Sequence, residues 1–204
     1  MTPHLLILGP SGVGKSTVTA RAARRGFLPI EIDAASRTSA RRMPFAARIN
    51  VALKRRSFVL PPEYDGMVIE NLMEEWTSFE DGDARPLSSA LRVRSDQADA
   101  EACIVSFPSG VVLSAGSIVV AEAAGIAVRI LYGSVAECLG AFLARETSSG
   151  RGLGPDYWFA NNARTHRSQG RPEFAAWRVT AFGEDGSRRP LDDLVDEICF
   201  TSAS

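Results

Sequence analysis

The chain carries Gly9-Pro10-Ser11-Gly12-Val13-Gly14-Lys15-Ser16-Thr17, which fits the spacing G-x-x-x-x-G-K-[ST] at every fixed position. Glycines at these places let successive backbone N–H groups turn inward and form a concave nest for an anion. A helix that starts directly after the loop adds its positive end to the same spot. A lysine at position 15 reaches outer phosphates as a point charge, and a hydroxyl at Ser16 completes a Mg²⁺ shell. The ligand this chemistry suits is a nucleoside triphosphate with Mg²⁺, ATP first. Its expected binding residues are Gly9, Ser11, Gly12, Val13, Gly14, Lys15, Ser16 and Thr17.

Such a loop works only if a buried strand delivers it and a helix carries it away. Leu5-Leu6-Ile7-Leu8 is an all-apolar run ending at Gly9, the pattern of a parallel strand covered on both faces. Residues 15–25 have helical character, and Phe27 to Ile32 reads as a second strand closing at Asp33. Residues 34–58 have helix-forming composition with a basic face that includes Arg37, Arg41, Arg48 and Arg56. Residues 67–79 read as a helix, and residues 80–94 as a loop leading into one. Strand-like runs follow at 103–107, 111–113 and 127–132, with a short helix at 117–124 and an amphipathic one at 135–146. Residues 147–155 are rich in Gly and Ser and are expected to be mobile. Residues 156–177 read as mostly helical with a break near Gly170, then a last strand at 178–182 and a final helix at 191–200. Strands alternating with helices predict a three-layer α/β/α fold around a parallel sheet.

At 204 residues and 45% hydrophobic content the chain suits one compact domain, 1–204, with a sizeable core. With 23 basic against 24 acidic residues, a general nucleic-acid binder is not expected. Cys103, Cys138 and Cys199 form no CxxC pair, so buried reduced thiols in a cytoplasmic protein are expected. The longest apolar stretch, 111–132, is broken by Glu122, Arg129 and glycines, which excludes it as a membrane span. A base-reading N-K-x-D is absent, as is an apolar strand outside the second that ends in an acid. That leaves the class of small nucleotide and metabolite kinases.

Gly9–Thr17 followed by Gly26-Phe27-Leu28-Pro29-Ile30-Glu31-Ile32-Asp33 resembles the opening of shikimate kinases and their gluconate-kinase relatives, within the adenylate-kinase-like P-loop proteins. Val112-Leu113-Ser114-Ala115-Gly116-Ser117 is similar to their third strand and its glycine-rich turn, and Ile130–Ser134 with the helix through Arg145 to their fourth strand and lid helix. Arg178-Val179-Thr180 and the last helix match their ending. The resemblance implies a three-layer P-loop NTPase fold with a helical acceptor-binding region at 34–100 and a lid at 146–156. It implies ATP-dependent phosphoryl transfer to a hydroxyl of a small metabolite. Glu31 would then sit near Mg²⁺ with Ser16, and Asp33 near the acceptor hydroxyl, able to take its proton. Asp33 as a plain helix N-cap is the alternative. Where the family has three glycines at the acceptor turn, only Gly116 remains, which counts against shikimate as acceptor.

Lids of this class place arginines over the migrating phosphate and exclude water. Arg151, between Gly150 and Gly152, is the expected closing arginine, and Arg167 falls near the family's acceptor-binding arginine. Ser187-Arg188-Arg189-Pro190 corresponds to the segment that cradles adenine, with Arg189 expected to stack there. The basic face at 34–58 either meets an anionic acceptor or is solvated. Partners are thus a nucleoside triphosphate and a small acceptor, with the protein a monomer or homodimer. Two rivals remain at this stage: a nucleotide-binding regulatory module with little transferase activity, and a nucleoside monophosphate kinase.

Overall fold

The computed structural model describes residues 2–31, 78–150 and 152–200. Five strands, β1 (His4–Leu8), β2 (Phe27–Glu31), β3 (Ala102–Ser106), β4 (Ile126–Tyr132) and β5 (Arg178–Thr180), form one sheet in the order β2-β3-β1-β4-β5. Every pairing within it is parallel. Six helices lie wholly within the described residues: α1 (Lys15–Ala22), α2 (Arg85–Gln97), α3 (Ala115–Ala123), α4 (Val135–Ser149), α5 (Pro155–Gln169) and α6 (Leu191–Phe200).

The continuous apolar run of β1 is explained by burial on both faces. Leu6 and Leu8 join one core with Leu87 and Leu91 of α2 and Ile118 and Ala121 of α3. Leu5 and Ile7 point the other way, into a core with Val18 of α1, Phe142 of α4, Trp158 of α5 and Val195 of α6. Helices cover both faces, so the architecture is the expected three-layer α/β/α arrangement. Because β1 has β3 on one side and β4 on the other, the strand order reverses at its carboxyl end. Open parallel sheets bind ligands in the crevice at that switch point.

Several expected boundaries move, each for a local reason. Residues 111–113 form no strand. Val111 and Leu113 are buried while Val112 is exposed, so the alternation is that of an extended loop laid against the core, and the Val111 amide closes a turn on the Pro108 carbonyl at 3.1 Å. The third strand is β3, and the turn that follows it is Phe107-Pro108-Ser109-Gly110. Gly116 instead lies in the first turn of α3, which Ser114 caps by accepting from the Ser117 amide at 3.0 Å. Helix α4 runs on to Ser149 and stops at Gly150, whose φ of 67° is left-handed. The expected break near Gly170 is present, with a 3₁₀ turn at Pro172–Trp177 following it. Residues 34–77 of the expected acceptor-binding region lie outside the described residues.

Cys103, Cys138 and Cys199 are buried free thiols. Burial pushes them up to about 11, about 12 and about 11, so they stay protonated. No helix among the described residues is long and apolar enough to cross a membrane.

His4 is buried in β1, where its Nδ1 accepts the Cys103 amide at 3.0 Å. Burial, with help from the Arg92 charge, lowers its pKa from 6.5 to about 4. The unfolded chain therefore takes up this proton first as pH falls, and the stability tied to neutral His4 is lost between about 6.5 and about 4. That loss is on the order of 3 kcal/mol by linkage. His4→Asn retains an acceptor without a titrating ring. Denaturant titrations at pH 7.5 and 4.5 are expected to show a smaller acid loss in the variant, and equal losses would refute the assignment.

Candidate phosphate-binding site

The loop 9–14 leaves β1 at the switch point and enters α1 at Gly14, the N-cap, with φ 94°. No side chain caps this helix start and its first turn holds no acidic residue, so its amides and dipole face an incoming anion. The Lys15 ammonium folds back over the loop, donating to the Gly9 carbonyl at 2.8 Å and the Pro10 carbonyl at 3.1 Å. It stays inside the cup, within reach of a phosphate.

Three neighbours hold the loop. Helix α5 grips it at Ser11: the Ser11 amide donates to Asn162 Oδ1 at 2.7 Å, and Trp158 Nε1 donates to the Ser11 carbonyl at 2.9 Å. Both side chains are buried, so the amide and the carbonyl of Ser11 are each satisfied without water. Helix α4 packs so closely that a Cβ on Gly12 would stand 2.0 Å from the Cys138 carbonyl oxygen. Arg188 closes the outer side, donating to the Val13 carbonyl at 2.9 Å and to the Gly12 carbonyl. Strand, glycine-rich loop and helix together form a P-loop on a three-layer α/β/α sheet.

A cavity of about 490 Å³ opens over the loop, lined by residues 11–18 together with Ser106, Phe107, Arg145, Arg188 and Arg189 among others. Ser11, Gly12, Val13, Gly14, Lys15, Ser16 and Thr17 thus share one wall, while Gly9 contributes the carbonyl that Lys15 holds. Arg189 lines the cavity, but its guanidinium is engaged by the Thr180 carbonyl at 2.9 Å and the Glu197 carboxylate at 2.7 Å. Glu31 ends β2 directly beside Ser106 at the end of β3. Glu31 Oε1 and Ser106 Oγ are both buried and lack a hydrogen-bond partner.

Two expected substrate residues are elsewhere. Gly116 is not in the cavity wall, for the reason given above. Arg167 is exposed: the buried face of α5 is Trp158, Asn162, Thr165 and Gln169, at i, i+4, i+7 and i+11, which turns residue 167 outward. Asp33 and Arg151 lie outside the described residues.

No protein-family model matches the chain, and no curated protein does. Among solved structures it is similar to a gluconokinase from Sinorhizobium meliloti 1021, with 17% identity, 97% of this chain and 90% of that chain covered, and a TM-score of 0.46.

Sequence reasoning missed the residues that brace the P-loop. Trp158 reads as a core aromatic, and it is one, yet its indole N–H is spent on the loop. Asn162, four residues on, shares a buried helix face with Trp158, Thr165 and Gln169, and nothing in the sequence singles it out among these polar residues. Ser109, in the turn after β3, meets Ser11 hydroxyl to hydroxyl at 3.1 Å. Arg145 lines the cavity half-exposed, paired with Glu146 at 2.9 Å and lying over the Phe142 ring.

Proposed function

We propose that the chain is an ATP-dependent kinase that transfers the γ-phosphoryl group to a hydroxyl of a small metabolite. The reading rests on one observation above all: Lys15 and an uncapped helix start face a cavity whose wall also carries Arg145 and Arg188. Amides at residues 12–17 would bind the phosphate tail, with Lys15 leaving its loop carbonyls for the β- and γ-oxygens. Such preorganised donors stabilise charge without reorganising at the moment of transfer.

The residues present fit a hard divalent cation. Ser16 lies in the cavity wall, and the unpartnered oxygens of Glu31 and Ser106 stand at adjacent strand ends. Ser16 would hold Mg²⁺, with Glu31 and Ser106 reaching it directly or through water, as suits an ion that keeps several waters. When bound, Mg²⁺ neutralises charge on the phosphate oxygens. Asp33, two residues beyond β2, is proposed to accept the proton of the attacking hydroxyl as the new P–O bond forms and ADP departs. Arg151, in the connection between α4 and α5, is proposed to close over the transferred group.

A second reading, a nucleotide-responsive module with little transferase activity, is favoured by one feature. Strand β3, next to β1, ends in the hydroxyl of Ser106 instead of a carboxylate. ATP consumption assayed against sugars, sugar acids, nucleosides and nucleoside monophosphates separates the two. The kinase is expected to be stimulated by one acceptor class, which names the substrate. Tight ATP binding with no stimulation by any of them would leave the module as the function.

A further inference from the structure

We propose that Arg188 is a positioning residue for the P-loop, holding its carbonyls outward so that the amides of Val13 and Gly14 point into the cup. The inference rests on the phosphate-grip reading above and deepens it.

One guanidinium spans two consecutive carbonyls, those of Gly12 and Val13. The described peptides contain no cis bond, and in a trans peptide the C=O and N–H point in opposite directions. Turning the Gly12 carbonyl toward Arg188 therefore turns the Val13 amide away from it, and the Val13 carbonyl does the same for the Gly14 amide. Both amides belong to the anion nest. Gly12 and Gly14 have φ of 98° and 94°, a region glycine enters without steric cost but in which it is also free to move, so contacts from outside select the conformation of the turn. A cation behind two carbonyls supplies such contacts and polarises the same peptides toward an anion in front.

The guanidinium is itself fixed. It lies over the Phe182 ring at 5.0 Å, and Phe182 pairs with Arg188 through a backbone bridge across a tight turn. It also sits close enough that a Cβ on Gly14 would be 2.8 Å from Arg188 Nη1. Arg189 cannot take its place, being tied to Thr180 and Glu197.

A contact with the nucleotide base is the rival role for this segment, and ligands with and without a base separate the two. Calorimetry with MgATP and with magnesium tripolyphosphate is run on the wild type, Arg188→Met and Arg188→Lys. Methionine keeps an apolar stem over Phe182 and removes the donors. Both ligands are expected to weaken by the same factor in Arg188→Met, about ten- to a hundredfold. The lysine variant, reaching one carbonyl, is expected to fall between. An unchanged melting temperature shows that the fold is intact, and if Arg188→Met is unstable the lysine variant carries the same comparison. Loss of ATP affinity alone, or no loss for either ligand, overturns the proposal. So does a wild type that binds ATP but not tripolyphosphate. A wild type that binds neither removes the phosphate-grip reading itself.

Discussion

Lys15→Ala is expected to abolish nucleotide binding while the fold survives. The side chain contributes nothing to either core, and its hydrogen bonds run back to carbonyls of its own loop. Gly9 and Pro10 are buried, so their carbonyls lose a donor, while no apolar contact of either core goes with it. The ligand loses more: the β- and γ-phosphates are deprived of the one side-chain cation that the motif brings to them. Removing one preorganised charged donor of this kind costs on the order of a hundredfold or more. Titration of the variant with MgATP is expected to give no saturable binding at millimolar ligand, with an unchanged far-ultraviolet spectrum and melting temperature. Lys15→Arg is not a conservative rescue, since a planar fork replaces a compact ammonium in a closed cup. Full phosphoryl transfer in Lys15→Ala would reject the mechanism.

The second large effect is expected at Gly12. An alanine Cβ there would stand 2.0 Å from the Cys138 carbonyl oxygen and 3.2 Å from the Phe142 amide nitrogen, both in the backbone of α4. Neither atom can rotate away as a side-chain tip would. The φ of 98° adds strain of its own, since L residues rarely adopt it. Either α4 shifts off the sheet or the loop leaves its anion-binding shape. A destabilisation of about 3 kcal/mol follows, or roughly 6–12 °C in melting temperature for a chain of this size, together with lost nucleotide affinity. Gly140, an exposed residue within α4 itself, is the control: a Cβ there meets nothing within 4 Å. Its alanine variant is expected to be neutral or slightly stabilising through helix propensity. A Gly12→Ala protein that melts and binds like the wild type would mean that the loop does not pack on α4 as described.

The two sites differ in how visible they are from sequence. The P-loop is local: one strand, nine residues and the start of a helix specify it, so Gly9 to Thr17 could be read directly. Its braces are not local. Asn162 and Trp158 reach Ser11 from about 150 positions away, and Arg188 reaches Gly12 across 176. No periodicity or composition links residues so far apart. The strand error has a different cause. Val111 and Leu113 alternate with exposed Val112 as a strand would, yet hydrophobic alternation reports burial on one side and says nothing of a hydrogen-bonding partner. Gly116, read as following that strand, lies instead in the first turn of α3 and outside the cavity wall. Arg167 is exposed because the helix's own periodicity buries Trp158, Asn162, Thr165 and Gln169, a phase that counting back from β5 does not give.

Arg188 and Arg189 show how neighbouring residues of one type divide their work. Arg189 ties β5 to α6 through Thr180 and Glu197, while Arg188 turns the other way, onto the P-loop. Alternating side-chain directions in the extended return from the 183–187 turn produce this split. Residues 187–190 and the P-loop are thereby joined through one guanidinium.

Isothermal titration of the full chain with a purine nucleoside triphosphate in the presence of magnesium tests the main proposition most directly. Saturable binding of one equivalent, competed by inorganic tripolyphosphate, is the expected result. No heat and no competition at millimolar nucleotide would contradict the cup of amides on which every proposed role depends.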